Sequence, residues 1–380
     1  MAHHFPLLFK KIAGKLRRLP TWTWYWFARY WQRNIWHKVV VIFVGTLLLC
    51  LATMYGIARW YIWSESGKPL TLGVSFIPDY AQSLGLDAQK TMDAILNNLQ
   101  VRHLRLTSYW SDIEPTPGHY DFSQLDWEFQ KAEAAHAKVS LSLGLRQPRW
   151  PECHMPAWAA NEQESAWQPQ LEQFITAVIN RYKNSPSLES YQLENEYFNT
   201  FGQCTNYDRQ RLVAEFNLVK KDDPRHPVII SRSNNYGGLP LGQPTPDEFG
   251  ISVYRRTWDA NVTHRYFEYP FPAWYYAFLA GAQKLLTGKP SVVHELQAEA
   301  WPPHGQSITQ TPLAEQNKSM DAARLQQTVS FGEATGMRTI DLWGAEYWYY
   351  RLTVLHDPSL WNTAKQSLQR SAGASSTTSH

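Results

Sequence analysis

The most constraining feature of the sequence is a run of twenty residues without a charge, Val39–Ala58. A helix of this length, at about 1.5 Å of rise per residue, matches the roughly 30 Å hydrocarbon core of a bilayer. A buried core helix rarely lacks a polar face for so long. A cleaved signal peptide would have a shorter stretch before its apolar run and a clear small-residue cleavage site after it. The sequence therefore predicts an uncleaved transmembrane helix over residues 39–58, in contact with membrane lipid.

The charges around this helix predict its orientation. Residues 1–38 contain eight Lys and Arg residues, several tryptophans and no acidic residue, whereas only Arg59 and Lys68 follow closely. The positive-inside bias places this basic, aromatic segment in the cytoplasm and the chain after the helix in the extracellular space or periplasm. Beyond residue 38 the chain has 28 Lys and Arg against 33 Asp and Glu, a net charge of −5. This balance argues against nucleic acid as a partner.

After a linker over residues 59–69, short apolar runs alternate with longer amphipathic segments. Each run is rich in β-branched residues or leucine, as expected for strands that are buried on both faces. Eight strand–helix units over residues 70–362 are what a (β/α)8 TIM barrel needs. The connection between the fifth and sixth runs, residues 232–249, has little room for a full helix. The eight runs are Leu70–Ile77, Val101–Leu106, Lys138–Leu143, Ser190–Leu193, Val228–Ser231, Gly250–Val253, Ser291–His294 and Thr339–Leu342.

Two further observations complete the predicted organisation. The main competing fold, a doubly wound α/β sheet, would show a glycine-rich phosphate loop after its first strand, and Ile77–Tyr80 is not such a loop. The tail, residues 363–380, is rich in Ser and Thr and is predicted to be disordered. The predicted chain is therefore a transmembrane helix followed by one α/β barrel domain.

Carboxylates stand at the ends of two runs that a barrel would place on opposite sides of its mouth. The fourth run ends in Glu194-Asn195-Glu196 and the seventh in His294-Glu295. In TIM barrels the active site lies at the carboxyl-terminal ends of the strands. Two facing carboxyl groups are what glycoside cleavage needs, because one protonates the leaving oxygen and the other attacks the sugar or activates water. Glu299 is an alternative to Glu295, but the strand end lies nearer Glu295.

The residues around these carboxylates resemble a known family. Ser108–Asp126, with the sequence SYWSDIEPTPGHYDFSQLD, is similar to the segment after strand two in clan A glycoside hydrolases, which include β-galactosidases and cellulase-like barrels. Asn195-Glu196 resembles the Asn-Glu at the end of strand four in that clan, and Val292–Glu295 resembles the end of its strand seven. The resemblance covers about Leu70–Tyr350, and it implies a barrel that cleaves β-glycosides with retention of configuration.

The resemblance also implies roles for the matching residues. Glu196 would be the general acid/base and Glu295 the nucleophile, with their carboxyl groups about 5–5.5 Å apart. Arg105 and Tyr254 would stabilise the ionised nucleophile. Asn195 would donate a hydrogen bond to the sugar 2-hydroxyl, an interaction that strengthens in the transition state. No organic cofactor and no metal is implied.

Three tryptophans are expected to contact the carbohydrate substrate. Trp343 matches the strand-eight tryptophan that lies under the sugar in that clan, Trp110 lies in the segment after strand two, and Trp150 lies in the loop after strand three. The indole ring offers a large apolar face with a polar edge, which suits the flat face of a pyranose. We therefore expect all three to bind substrate.

The three cysteines give a weaker indication. Cys50 lies in the predicted transmembrane helix, which leaves Cys153 and Cys204 as a possible pair in an oxidising compartment. They lie in the loops after the third and fourth strands, which are neighbours in a barrel. We expect a disulfide that braces the rim, and two unrelated thiols are the alternative.

The predicted function is a membrane-tethered retaining β-glycoside hydrolase that acts on an oligo- or polysaccharide outside the cytoplasm. A catalytically silent barrel that binds glycan as a surface receptor is one alternative. A second alternative keeps the same chemistry but transfers the glycosyl unit to another sugar. The complete pair of carboxylates favours an active enzyme.

Overall fold

The computed structural model describes residues 25, 29–31, 34–199, 201–203, 206–233 and 242–377, with side chains up to residue 371. The chain divides into two compact units, Met1–Gly56 and Ile57–His380. One helix in the described ranges, α1 (Ile35–Glu65), is long and apolar enough to cross a membrane, with a mean hydropathy of 2.3 in its most apolar window. This length and composition suit a signal anchor and a signal sequence alike.

The second unit contains a closed barrel of eight parallel strands, which confirms the predicted (β/α)8 fold. Almost every strand residue is buried, because side chains fill the barrel interior and helices cover its outer face. The ten strands of the unit are β1 (Thr71–Ser75), β2 (His103–Leu106), β3 (Lys138–Leu143), β4 (Leu188–Leu193), β5 (Val228–Arg232), β6 (Glu248–Val253), β7 (Arg256–Asp259), β8 (Arg265–Glu268), β9 (Ser291–Gln297) and β10 (Thr339–Trp343). Around the barrel the order is β1, β10, β9, β6, β5, β4, β3 and β2, and β7 and β8 form a separate hairpin.

Helices alternate with the barrel strands, and some of them begin at an aspartate that caps the helix. The Asp208 carboxylate accepts a hydrogen bond from the Gln210 backbone at the start of the helix Arg209–Asp222, and Asp321 accepts one from the Arg324 backbone at the start of the helix Ala322–Ala334. A π-helical turn, Ala94–Asn98, extends α3. The helices after α1 are α2 (Pro78–Ser83), α3 (Ala88–Asp93), α4 (Trp110–Ile113), α5 (Ser123–Ala134), α6 (Glu164–Tyr182), α7 (Arg209–Asp222), α8 (Ala273–Thr287), α9 (Leu313–Ser319), α10 (Ala322–Ala334), α11 (Ala345–Thr353) and α12 (Ser359–Thr377).

The connections on either side of β6 depart from the regular strand–helix alternation. The described part of the connection between β5 and β6 contains no helix, and residues 234–241 lie outside the described ranges. After β6 the chain forms the antiparallel hairpin β7–β8 before it enters α8. This hairpin supplies residues to a cavity at the carboxyl-terminal ends of the barrel strands.

The segment before the barrel is helical where the sequence suggested a linker. Residues 59–65 are the last part of α1, and Tyr61 and Glu65 are buried. The Glu65 carboxylate forms ion pairs with Lys68 at 2.8 Å and with Lys284 of α8 at 2.5 Å. These contacts hold the start of the barrel unit against α8.

The C-terminal segment also differs from its prediction. Residues 363–377 belong to helix α12, although a disordered tail was expected from residue 363. Ala364 and Leu368 are buried in the hydrophobic core, together with Trp361 one turn earlier. Burial of this apolar face offsets the entropy that is lost when the segment becomes ordered. The Ser- and Thr-rich composition hid the few apolar residues that fix the helix.

Candidate active site

One cavity at the carboxyl-terminal ends of the barrel strands contains both predicted glutamates. Glu196 follows β4 and Glu295 lies on β9, so carboxyl groups from two separate strands line the same space. The cavity has a volume of about 720 Å³, within the range typical of small-ligand pockets. Much of the remaining wall is aromatic, with Phe201, Tyr254, Trp258, Phe267, Tyr269 and Trp301.

Glu295 is buried and accepts hydrogen bonds from two donors. Arg105 Nη1 lies 2.6 Å from Glu295 Oε2 and forms an ion pair with it. The Tyr254 hydroxyl donates a short hydrogen bond to the other carboxylate oxygen. Burial, and then the neighbouring Glu295 carboxylate, raise the pKa of Tyr254 well above its usual value, so this hydroxyl keeps its proton. The two hydrogen bonds therefore fix the position of the Glu295 carboxylate.

Arg105 connects three strands beneath the cavity. Its side chain is buried on β2, where Nε donates to Gln192 Oε1 at 2.7 Å and Nη2 donates to Asn195 Oδ1 at 2.9 Å. Gln192 belongs to β4, Asn195 follows it, and Glu295 lies on β9. A buried guanidinium without such partners would cost several kcal/mol. The hydrogen bonds therefore fix the relative positions of these side chains.

Glu196 differs from Glu295 in its surroundings. Its carboxyl group is buried, and Oε1 has no hydrogen-bond partner in the described part of the chain. Burial, and then the negative charges of Glu295 and Glu152, raise the pKa of Glu196 to about 8. Glu196 is therefore mostly protonated at neutral pH, whereas Glu295 is ion-paired with Arg105. A neutral carboxyl group facing an ionised one is the arrangement of an acid and a nucleophile.

A third carboxyl group, Glu152, lines the cavity and was missed by sequence analysis. It lies in the loop after β3, and its Oε2 accepts a hydrogen bond from Asn195 Nδ2 at 2.8 Å. Burial is the main cause that raises the pKa of Glu152 to about 7, with a further contribution from Glu295. The signal that could have found it is its position shortly after the third strand. Among the residues that the structure describes, no cluster of three or more His, Cys, Asp or Glu side chains could hold a metal ion.

The turn that carries Glu196 is held by a buried network. Glu194 accepts hydrogen bonds from the backbone nitrogens of Leu145 and Arg146 at 2.7 and 3.0 Å, and it forms an ion pair with Arg211 at 2.9 Å. Glu194 and Glu196 both have positive φ angles, 54° and 45°. This conformation costs a residue with a side chain about 1–2 kcal/mol. The network around Glu194 offsets that cost and fixes the direction of the Glu196 side chain.

Trp343 and Glu299 form a bonded pair outside the cavity wall. Trp343 Nε1 donates to Glu299 Oε1 at 2.9 Å, and Arg149 Nη2 lies 3.2 Å from Glu299 Oε2. The Arg149 guanidinium also covers a face of the indole, with its carbon 4.4 Å from the ring centroid. Neither Trp343 nor Glu299 lines the cavity. This placement favours Glu295 over Glu299 as nucleophile, and it leaves one face of Trp343 occupied by a side chain.

The structure does not bring the other two predicted tryptophans to the cavity. Trp110 is fully buried and donates to Glu114 Oε2 at 2.6 Å, inside the segment that resembles clan A. Trp150 is 68% exposed and does not line the cavity. Cys153 is disulfide-bonded, and its predicted partner, Cys204, lies outside the described residues.

Part of the aromatic wall comes from residues that sequence analysis did not single out. Trp258 and Phe267 lie on the β7–β8 hairpin, and Trp301 lies in the loop after β9. The hairpin falls between two predicted barrel strands, so its own strands were not recognised. The signal that could have found it is the presence of aromatic residues between charged ones in two short neighbouring segments, RTWD and RYFE.

No protein-family model matches the sequence, and no curated protein is significantly similar to it. Solved structures with a similar fold include a β-galactosidase from the Antarctic haloarchaeon Halorubrum lacusprofundi, at 13% identity over 80% of this chain and 58% of that one, with a TM-score of 0.53. An exo-β-1,4-mannosidase from Opitutaceae bacterium strain TAV5 matches at 14% identity over 80% of this chain and 60% of that one, with a TM-score of 0.52. A GH5_18 protein from Streptomyces cattleya, in complex with GlcNAc, matches at 12% identity over 81% of both chains, with a TM-score of 0.56.

These comparisons show what the fold has in common with known proteins. The chain spans about three fifths of the length of the β-galactosidase and of the mannosidase. At these identities the likeness concerns the (β/α)8 barrel fold alone. The expectation that the chain resembles clan A glycoside hydrolases in fold is confirmed.

Gly144 begins the loop after β3 and lies against Glu194, in the turn that carries Glu196. The variant Gly144→Ala should therefore be clearly less stable than the wild type. Gly144 has a φ of +102°, and an added Cβ would lie 2.5 Å from Glu194 Oε1. We expect this variant to be less stable than Gly85→Ala by roughly 1–3 kcal/mol, the usual cost of overpacking. Gly85 is the matched control, because it has a φ of +77° and an added Cβ there would meet nothing within 4 Å. Chemical denaturation of the full-length chain in detergent measures both changes, and equal losses of stability would contradict the prediction.

Proposed function

We propose that the protein is a retaining β-glycoside hydrolase that uses Glu196 as general acid/base and Glu295 as nucleophile. The observation that carries the proposal is the shared cavity, where a protonated carboxyl group from β4 meets an ion-paired carboxylate from β9. Two such groups on either side of a glycosidic bond are sufficient for cleavage by double displacement. The barrel fold and the sequence resemblance support the same chemistry.

In the first step, Glu295 attacks the anomeric carbon while Glu196 gives its proton to the departing oxygen. The bond from the anomeric carbon to the leaving group breaks, and a glycosyl ester with Glu295 forms. Arg105 and Tyr254 hold the Glu295 carboxylate in position before the attack, through the hydrogen bonds to its two oxygens. In the second step, Glu196 removes a proton from water, the water oxygen bonds to the anomeric carbon, and Glu295 leaves as a carboxylate.

The substrate proposed is an oligo- or polysaccharide with β-linked sugars. The aromatic cavity wall supports this, because aromatic rings pack against the apolar faces of pyranoses. The similar structures include a β-galactosidase, a mannosidase and a protein in complex with GlcNAc, all of which are connected with sugars. The Asn195 amide still has one N–H group beyond its bond to Glu152, and we assign it to the sugar 2-hydroxyl.

We also propose that α1 is a signal anchor that keeps the barrel outside the cytoplasm. The charge difference across the apolar run supports this orientation. A full-length chain expressed in a bacterial host should remain in the membrane fraction after a carbonate wash, and protease added outside the inner membrane should digest the barrel. Release of the intact chain by carbonate, or full protection of the barrel, would contradict the anchor.

The roles of the two glutamates predict the activity of matched variants. Glu295→Gln removes the attacking carboxylate, and Glu196→Gln removes the proton donor, so each should lower kcat by roughly 10²–10⁴-fold or more. Glu299→Gln, which changes an acid outside the cavity, should retain most of the activity. Hydrolysis of a panel of aryl β-glycosides measures all three variants and the wild type.

The same assay distinguishes the alternatives. Proton NMR of the first sugar released should show the β anomer, because two displacements retain configuration. A barrel that only binds glycan would show no turnover of any glycoside by folded wild-type protein. A transferase would place most of the glycosyl units on an added acceptor sugar instead of water.

The pKa of Glu196 predicts the pH dependence of the reaction. Since the acid must be protonated, kcat/KM should be retained below about pH 8 and should fall as the pH rises through that value. Glu152→Gln removes a negative charge beside Glu196, so its alkaline limb should move to lower pH. The control Glu333→Gln changes an exposed acid on α10 and should leave the limb in place. An unshifted limb in folded Glu152→Gln would contradict the electrostatic coupling of the two groups.

A further inference from the structure

Among the described residues, those that line the cavity come from one side of the barrel mouth. They come from the hairpin β7–β8 and from the loops after β3, β4, β5, β6 and β9, with none from the loops after β1, β2 and β10. Side chains of the protein fill that second side of the barrel mouth. We call this group the closed wall, and its members are Ile77, Tyr80, Tyr109, Arg149 and Trp343.

Apolar packing forms the inner part of the closed wall. Ile77, Tyr109 and Trp343 make a small cluster in which they are only 2%, 8% and 4% exposed. The Tyr109 ring also stacks on His154 at a centroid distance of 3.5 Å and an interplanar angle of 3°, and its hydroxyl donates to the Pro148 carbonyl at 2.6 Å. The wall is therefore packed and hydrogen-bonded, and no sugar ring fits between its side chains.

Arg149 completes the closed wall. Its guanidinium lies between two aromatic rings, with its central carbon 3.3 Å from the centroid of Tyr80 and 4.4 Å from that of Trp343. Both rings attract the guanidinium by cation–π contacts, which keep it between them. Glu299 holds the guanidinium in place by accepting hydrogen bonds from Nη2 at 3.2 and 3.3 Å.

The barrel order shows which end of the substrate the closed wall faces. Trp343 ends β10, which lies directly opposite β4, four strands away in either direction. Glu196 follows β4 and gives its proton to the leaving group, so the leaving group lies on the β4 side. Phe201 and Ser233, from the loops after β4 and β5, line the cavity on that side. The sugar that is attacked therefore lies with its far end towards the closed wall.

We infer that the closed wall restricts the enzyme to chain ends, so that it removes one sugar at a time from the non-reducing end of a β-linked glycan. This inference rests on the proposed function, and it adds the mode of action at the same site. An internal segment of a polysaccharide would have to pass through the space that Arg149 and Trp343 occupy. The terminal sugar has no such continuation and fits against the wall.

The test uses β-linked oligosaccharides of three to six units that carry a fluorescent label at the reducing end. The sugar is the one whose aryl β-glycoside the full-length protein hydrolyses best. We expect the labelled ladder to shorten by one unit at a time, with the monosaccharide as the unlabelled product at early times. Early release of unlabelled di- or trisaccharides would overturn the inference and leave the proposed function intact. Failure to hydrolyse any aryl glycoside would overturn the proposed function and this inference with it.

Arg149→Ala tests the cause of the restriction. Loss of the guanidinium opens the wall beside Trp343, so the variant should release unlabelled di- or trisaccharides that the wild type does not release. Trp150→Ala is the matched control, because Trp150 is the exposed neighbour of Arg149 and does not line the cavity. If Arg149→Ala fails to fold, the one-unit ladder of the wild type still decides the inference. A folded Arg149→Ala variant with an unchanged one-unit ladder would overturn Arg149 as the closing residue.

Discussion

The buried guanidinium of Arg105 is the interaction on which the rest of the site depends. It connects Glu295 on β9 with Gln192 and Asn195 at the end of β4, through three hydrogen bonds of 2.6–2.9 Å. A charge in this position is stable only because carboxylate and amide oxygens surround it. The same bonds orient Glu295, the proposed nucleophile, and the side-chain amide of Asn195. The hydrogen bonds of Arg105 therefore compensate the burial of its charge and also position the side chains of the proposed active site.

Glu196 and Glu295 have the same side chain but different surroundings. Glu295 has a cation and a hydroxyl as donors, whereas Glu196 is buried with one oxygen unpaired among the described residues. Glu152 adds negative charge near Glu196 and raises its pKa further. Since like charges in a buried site favour the neutral form of one member, the proton stays on Glu196. In the proposed mechanism, this difference in surroundings makes Glu196 the acid and Glu295 the nucleophile.

The sequence predicted those features that follow from periodicity and from strand ends. Short apolar runs indicated the eight barrel strands, and the ends of the fourth and seventh runs indicated Glu196 and Glu295. Glu152 was not predictable in the same way, because its role depends on the path of a loop that brings it to Asn195. The sequence also did not predict that one face of Trp343 is covered. The covering residue, Arg149, is almost two hundred positions away in the chain. Composition also misled at the C-terminus, where Leu368 orders a segment rich in Ser and Thr.

The loop after β3 connects these features into one structural unit. It supplies the backbone donors that bind Glu194, the carboxyl group of Glu152 that binds Asn195, and the guanidinium of Arg149 in the closed wall. Arg149 and Glu152 both have positive φ angles, 83° and 69°, which cost energy that the surrounding contacts must offset. Strain of this kind persists only where the structure fixes a residue on several sides. The loop therefore helps to fix the direction of Glu196, the proposed proton donor, and also forms part of the closed wall.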